Sequence, residues 1–275
     1  MSQLFSFEFY PPKTEEGAIK LATVHQELAQ LNPDFFSVTF GAGGSTRDKT
    51  YDTVVGIQKK GIAAAPHLSC VASTKENIRE ILNNYRDQGV SNIVALRGDL
   101  PSGMMSAGEF RYANELVEFI RAETGDHFQI HVAAYPETHP QANSANDDFT
   151  NFKRKVDAGA DAVVTQYFYN AEAYFYFLDK CEKHGIDIPI VPGIMPITNY
   201  SQLFRFSDMC GADIPRWMRK TLESFGDDKA SIMAFGEEVV SKLCQQLLDN
   251  GAPGLHFYTM NQSQPTLAVW NNLKL

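Results

Sequence analysis

Little in this sequence points to a membrane, a disulfide frame or nucleic acid. No apolar run reaches the ~18 residues that a bilayer-spanning helix needs. The opening MSQLFSFEF lacks the basic and apolar regions of a secretory signal. Cysteine is scarce: Cys70, Cys181, Cys210 and Cys244 stand far apart, with no C-x-x-C pair. That spacing fits the reduced thiols of a cytoplasmic protein, not a disulfide framework or a zinc site. Basic residues are outnumbered, 24 Lys and Arg against 33 Asp and Glu, giving a formal net charge of −9. This balance argues against nucleic-acid and membrane-surface partners. A local cationic cluster can still hold a small anion.

Signatures of several common chemistries are missing too. There is no Gly-x-Ser-x-Gly nucleophile elbow. The glycine-rich stretch at 41–46 lacks the lysine of a Walker A loop. No Gly-x-Gly-x-x-Gly follows the first strand-like run, as an open dinucleotide-binding sheet would want. His127 and His131 have no carboxylate in metalloprotease position, and no metal is expected.

What is present is alternation. Apolar, strand-like runs fall at 4–9, 35–40, 63–68, 92–96, 129–134, 162–168, 188–194 and 254–259. Helical patterns lie between them, as at 15–31, 74–88, 113–123, 147–158 and 171–184, and a long one covers 229–248. Nearly continuous apolar strands alternating with helices imply a parallel sheet covered by helices. About eight such units in a chain of 275 residues predict a single α/β domain, a closed (β/α)8 TIM barrel. An open doubly wound sheet is the alternative. Pro215 suits the first turn of a further helix.

Barrel enzymes place their sites at the C-terminal ends of the strands, and polar residues gather there. Glu8 alternates with Phe7 and Phe9, so it faces away from them. A lone carboxylate buried there is costly, unless a neighbouring strand supplies a lysine. His67 sits in the third run, and the fourth ends in Arg97-Gly98-Asp99. The fifth ends in Tyr135-Pro136-Glu137-Thr138-His139-Pro140, the sixth carries Gln166 and the eighth carries His256 and Tyr258. Taken singly, these read as a satisfied core histidine, a turn salt bridge and ordinary loop chemistry. Together they place polar groups at one end of the sheet, as a shared site requires. On the fifth helix, Asp148, Asn151 and Lys155 follow one face near Lys153 and Arg154. That face is either solvated or a cradle for a phosphate and ribose hydroxyls.

Several longer stretches are recognisable. Ser6 to Pro12, Ser37 to Ala42, Ala65 to Leu68, Ala95 to Asp99, Ala134 to Glu137 with His139-Pro140, Lys153 to Ala160, and His256 to Thr259 occur in order along the chain. They resemble the bacterial type of the methylenetetrahydrofolate reductase family, catalytic barrel only.

The resemblance implies a flavoenzyme of methionine synthesis. Such an enzyme reduces 5,10-methylenetetrahydrofolate to 5-methyltetrahydrofolate by ping-pong hydride transfer from NADH, or less often NADPH, through FAD. It also implies a cytoplasmic homo-oligomer, a homotetramer. By motif, Glu8 looks like the general acid that opens the folate's five-membered ring, a role suited by a pKa raised toward ~6–7. Asp99 looks like the carboxylate that meets both pterin and flavin. Thr39, Phe40, Ala42, His67, Arg97, Gly98, Tyr112, Ala113, Tyr135, His139 and Ala142 match positions lining FAD. Asp148, Asn151, Arg154 and Lys155 match its ribose- and phosphate-binding helix. Gln166, Gln202, Phe206 and Tyr258 match folate-side residues. At Gln262 the family often has an arginine, so a charged folate contact becomes a hydrogen bond or is lost. Two other readings remain: a lyase for phosphorylated metabolites using Lys155 or Lys153, and a folate-binding protein on an inactive barrel.

Overall fold

The computed structural model describes residues 3–41, 46–98 and 108–275. Asp99 and Ala42, two of the expected site residues, lie outside these segments. Strand β1 (Leu4–Phe9) is followed by α1 (Glu15–Ala29), β2 (Phe35–Val38), α2 (Arg47–Gln58), β3 (Ala64–Ser69) and α3 (Lys75–Asp87). Then come β4 (Asn92–Leu96), α4 (Ala113–Thr124), β5 (Gln129–Ala134), α5 (Ala145–Asp157), β6 (Ala162–Thr165) and α6 (Ala171–Lys183). The seventh strand is split into β7 (Ile190–Val191) and β8 (Gly193–Ile194), followed by α7 (Tyr200–Cys210), α8 (Arg216–Phe225) and α9 (Lys229–Asp249). Strand β9 (Gly254–Tyr258) and α10 (Gln264–Asn271) complete the order.

All pairings are parallel, and the sheet runs β7-β6-β5-β4-β3-β2-β1-β9-β8. Only Pro192 separates β7 from β8, so the two ends of this order meet within one strand and the barrel is nearly closed. Proline has no N–H to give the ladder, and the pairing changes sides there: β7 bonds to β6 and β8 to β9. The Pro192 carbonyl still accepts from His256 N–H at 3.0 Å.

The strands bury both faces, which explains their unbroken apolar character. Outward, Phe7, Phe9, Phe36, Leu68, Val132, Val163 and Phe257 join the main core under the helices. Inward, a smaller apolar cluster consists of Phe35, Ala65 and Val94, with Leu4, Ala63 and Leu96 against it. Register carries this inner face round the barrel: Ser6 pairs with Phe35 and His256, Glu8 with Ser37 and Tyr258, and Val94 with His67 and His131. The interior is therefore apolar on one side and polar on the other.

Helix starts carry side-chain caps that meet otherwise unpaired N–H groups. Thr14, Thr74, Ser144, Asn170, Asn199 and Asp228 each accept from the first turn of the following helix. Strands two and six end sooner than their apolar runs suggest. Beyond Val38, the Thr39 carbonyl takes the Thr50 hydroxyl at 2.9 Å, and Gly41 N–H donates to Thr46 Oγ1 at 2.7 Å. Beyond Thr165, Tyr167 turns its ring toward α7, where its hydroxyl meets Ser207 Oγ at 3.1 Å. Helices α2, α7 and α10 carry no expectation from the sequence pattern. Pro215 caps α8, one place before the first helical turn. Among the described residues, no helix is long and apolar enough to cross a membrane.

Candidate active site

Glu8 sits inside the barrel mouth because alternation turns Phe7 and Phe9 outward. Its partners are imidazoles, not a lysine. His67 Nε2 lies 3.2 Å and His256 Nε2 3.6 Å from Glu8 Oε2. The His67 contact is an ion-pair distance without hydrogen-bond alignment. His256 is 1% exposed, and its Nδ1 is 2.7 Å from Ser6 Oγ. Ser6 thus holds the ring so that Nε2 faces the carboxylate. Burial is the strongest influence on Glu8 and pushes its pKa up. The charge of His67 and the contacts with both rings together outweigh it and hold the carboxyl at about 2. This corrects the expectation of a raised carboxyl: register places two imidazoles on it, and burial does not act alone. Across the barrel, His131 packs on Phe35 at 4.8 Å between ring centroids. Burial, aided by the charge of His256, lowers its pKa to about 4.

Tyr258 crosses the same mouth. Its hydroxyl donates to the Thr165 carbonyl at 2.7 Å, and burial raises its pKa well above the usual value. The ring lies over Gly193, where a Cβ would fall 2.6 Å from Tyr258 Cε2 and 2.1 Å from the Thr165 carbonyl.

Beside this centre, a cleft of about 320 Å³ opens between β4, β5, α4 and α5. Arg97, Gly98, Tyr112 and Ala113 line one side; Tyr135, His139, Ala142, Asp148, Asn151 and Lys155 line the other. Most of the expected cofactor positions are therefore brought together. Gly98 has φ 78°, and a Cβ there would fall 1.7 Å from Ser69 Oγ, so only glycine fits. Ser69 itself donates to the Arg97 carbonyl at 2.9 Å. Arg97 reaches across to Gln141 Oε1 at 2.6 Å. Asp148 Oδ2 accepts from His139 N–H at 2.9 Å, fixing the 139–142 turn onto the start of α5. Lys155 donates to the Ala133 carbonyl, and burial lowers its pKa to about 8 against the opposing charge of Asp148.

Other expected positions fall elsewhere. Arg154 does not line the cleft; it donates to Asn151 Oδ1 at 2.9 Å. Lys153 is tied to Asp157 at 2.6 Å. Thr39 lies just beyond β2, and Phe40 lines a separate hollow with Arg47, Tyr51 and Glu80. Gln202 and Phe206 share a small pocket with Met195 and Met260 at the start of α7. Gln166 lies apart from that pocket, its Oε1 accepting from Tyr167 N–H at 3.0 Å. Gln262 is exposed beyond β9, with its N–H on the Thr259 carbonyl at 2.9 Å. Sequence reasoning counted His256 among the strand-end polar groups but gave no role to it, nor to Ser6, Asn114, Gln141 or Phe152. Ser6 and His256 were within reach, since each is an even step from Glu8 or Tyr258 along its own strand.

The sequence matches the family described as methylenetetrahydrofolate reductase over residues 1–274. The 5,10-methylenetetrahydrofolate reductase of Escherichia coli (strain K12) is 42% identical over 269 residues, covering 98% of this chain and 90% of that one. Methylenetetrahydrofolate reductase (NADH) 1 of Arabidopsis thaliana is 38% identical over 285 residues, covering 98% of this chain and 48% of the plant protein. Among solved structures, an uncharacterised Clostridium thermocellum protein that binds two copies of 5-methyl-5,6,7,8-tetrahydrofolic acid superposes with a TM-score of 0.70 at 18% identity, covering 98% and 93% of the two chains. A phosphonopyruvate hydrolase superposes with a TM-score of 0.54 at 13% identity, covering 98% and 80%. At such low identity these two structures speak to the barrel alone. The match over residues 1–274 carries the assignment: the chain belongs to the methylenetetrahydrofolate reductase family.

Proposed function

We propose that this protein reduces 5,10-methylenetetrahydrofolate to 5-methyltetrahydrofolate, using NADH and a bound FAD. The observation that carries the reading is the half-buried Glu8 and the cationic cleft at the same C-terminal end of the sheet, within a chain of this family.

The cleft fits FAD. Lys155 and Arg97 supply cations for a pyrophosphate, and Asp148 and Asn151 supply polar groups for ribose hydroxyls. Gly98 presents backbone to the cleft, its missing side chain making room for Ser69 behind it, and Tyr135, 4.5 Å from the His139 ring, offers an aromatic wall. FAD, when bound, would accept hydride from the nicotinamide and pass it to the folate carbon.

The chain's own part is proton management and positioning. Glu8 is the general acid, protonating the folate nitrogen that departs as the five-membered ring opens. The carboxyl is held at about 2, so it must first gain a proton. A pterin over the mouth excludes water, strengthening the burial that already raises Glu8. His256 is placed to hand over that proton, with the Ser6 hydroxyl able to donate to or accept from its Nδ1. Asp99 is assigned the pterin contact by motif. Gln166, Gln202, Phe206 and Tyr258 would position the folate.

The test is the visible spectrum of purified protein. A flavin band that NADH bleaches without oxygen, and that methylenetetrahydrofolate restores, is expected. A protein that remains colourless after FAD is added would overturn the reading and favour the lyase.

A further inference from the structure

The seventh strand loses its ladder to β6 at Pro192. The last pairing on that side is Val164 with Val191, and the proline that follows has no N–H to give. One residue further on, the Gly193 N–H still turns toward β6 and meets a side chain there: it donates to Thr165 Oγ1 at 2.9 Å. The same hydroxyl donates to the Gln166 carbonyl at 2.9 Å, and the Thr165 carbonyl accepts from the Tyr258 hydroxyl at 2.7 Å. One fully buried residue at the end of β6 thus joins β6, β8 and β9 where the backbone pairing gives out.

Closing this seam needs only an acceptor for the Gly193 N–H. The hydroxyl does more, because its single proton goes to Gln166. Gln166 is held at three points: its N–H donates to the Ala134 carbonyl at 2.7 Å, its carbonyl takes the Thr165 hydroxyl, and its Oε1 takes the Tyr167 N–H at 3.0 Å. A valine of the same shape at 165 would leave the Gly193 N–H and the Gln166 carbonyl unpaired inside the barrel wall, and relief would require one of them to move. We infer that the Thr165 hydroxyl is a positioning group for the substrate, setting Gln166 against Tyr258 and so the fit of the folate between β6 and β9. The inference rests on the folate reading above. Thr165 has no exposed surface of its own, so it acts through Gln166 and not by contact.

The experiment measures equilibrium binding of 5-methyltetrahydrofolate to the FAD-loaded protein in a double-mutant cycle of Thr165→Val and Gln166→Ala. Thr165→Val is expected to weaken binding about tenfold, with FAD retained because the cleft lies on β4 and β5. Thr165→Ser, which keeps the hydroxyl, should stay within about threefold of wild type. On the Gln166→Ala background, Thr165→Val should add less than about twofold, since the group it positions is gone. Should the valine variant not fold, Thr165→Cys, a weaker donor and acceptor, takes its place in the cycle. If wild type holds FAD but does not bind the folate, the folate reading falls and takes this inference with it. If Thr165→Val binds as wild type does, or loses the same factor on both backgrounds, the folate reading stands and the hydroxyl serves only the seam.

Discussion

His256 Nδ1 and Ser6 Oγ are 2.7 Å apart on paired strands, and this contact aims the far side of the imidazole at Glu8. The hydroxyl can donate or accept, so the ring can present either N–H or a lone pair to the carboxyl. His256 is therefore a positioning residue for the proton on Glu8. Removing it takes away part of what holds the carboxyl at about 2. Replacing His67 as well leaves burial unopposed. The expected order of carboxyl pKa is wild type, then His256→Gln, then the His67→Gln/His256→Gln double variant, which should lie above the ordinary value of 4.5. Infrared difference titration of the flavin-free protein reads this directly, with Glu8→Gln identifying the band. Three equal titrations would show that the imidazoles do not control the group.

Proton uptake should accompany folate binding. Glu8 begins ionised, and a general acid must carry a proton before ring opening. Calorimetry of product binding in buffers of different ionisation enthalpy should show net uptake in wild type near neutral pH and markedly less in Glu8→Gln. The same variant should lose roughly 10²–10⁴-fold in folate reduction while NADH still bleaches the flavin. Equal proton uptake by both proteins would place the acid elsewhere.

Lys155 sets the pH range of the cleft. Burial lowers its pKa from 10.5 to about 8. Because the folded value lies below the unfolded one, the ammonium costs stability below about 8, and that cost fades as pH rises toward the unfolded value. An anion in the cleft benefits from the same charge, so FAD retention should weaken as pH rises through about 8. Lys155→Met should stabilise the flavin-free protein at neutral pH by about 1–3 kcal/mol and release FAD more readily, with the pH dependence flattened. Urea unfolding and flavin retention across the pH range check both halves. A destabilised variant would mean that the bond to the Ala133 carbonyl outweighs the buried charge.

Much of this was legible because parallel strands buried on both faces write themselves as apolar runs. Strands β1, β4 and β5 carry the bounds their patterns suggest. Helix α2 was not legible: Thr50, Thr53, Val54, Val55 and Gly56 are weak helix formers, and its place comes from packing against β2 and β3. The divided seventh strand was equally hidden, since a sequence shows Pro192 but not the change of partner across it. Within the site, alternation identified the face of Glu8 but not its neighbours. Which residue of β9 meets this half-buried carboxylate is decided by register between β1 and β9, which lie about 250 positions apart in the chain. The fold alone would not have separated a reductase from an enzyme of another class, because a phosphonopyruvate hydrolase shares this barrel.

The seam of the barrel depends on an absent side chain. Gly193 pairs with His256 where β8 joins β9, and the Tyr258 ring passes over it to reach the Thr165 carbonyl. An alanine Cβ would meet that carbonyl at 2.1 Å and the ring at 2.6 Å. The carbonyl belongs to β6 and has little room to move, so Gly193→Ala must push the two sides of the seam apart. A cost of about 3 kcal/mol or more is expected in denaturant unfolding, at the upper end of overpacking effects. Tyr258→Leu should cost less, through the lost hydroxyl bond and ring packing. If the ring is a large part of the obstruction, the double variant will be more stable than the sum of the two losses predicts. If the carbonyl alone obstructs, the losses will add, and Tyr258 is then free to move for the substrate without opening the barrel.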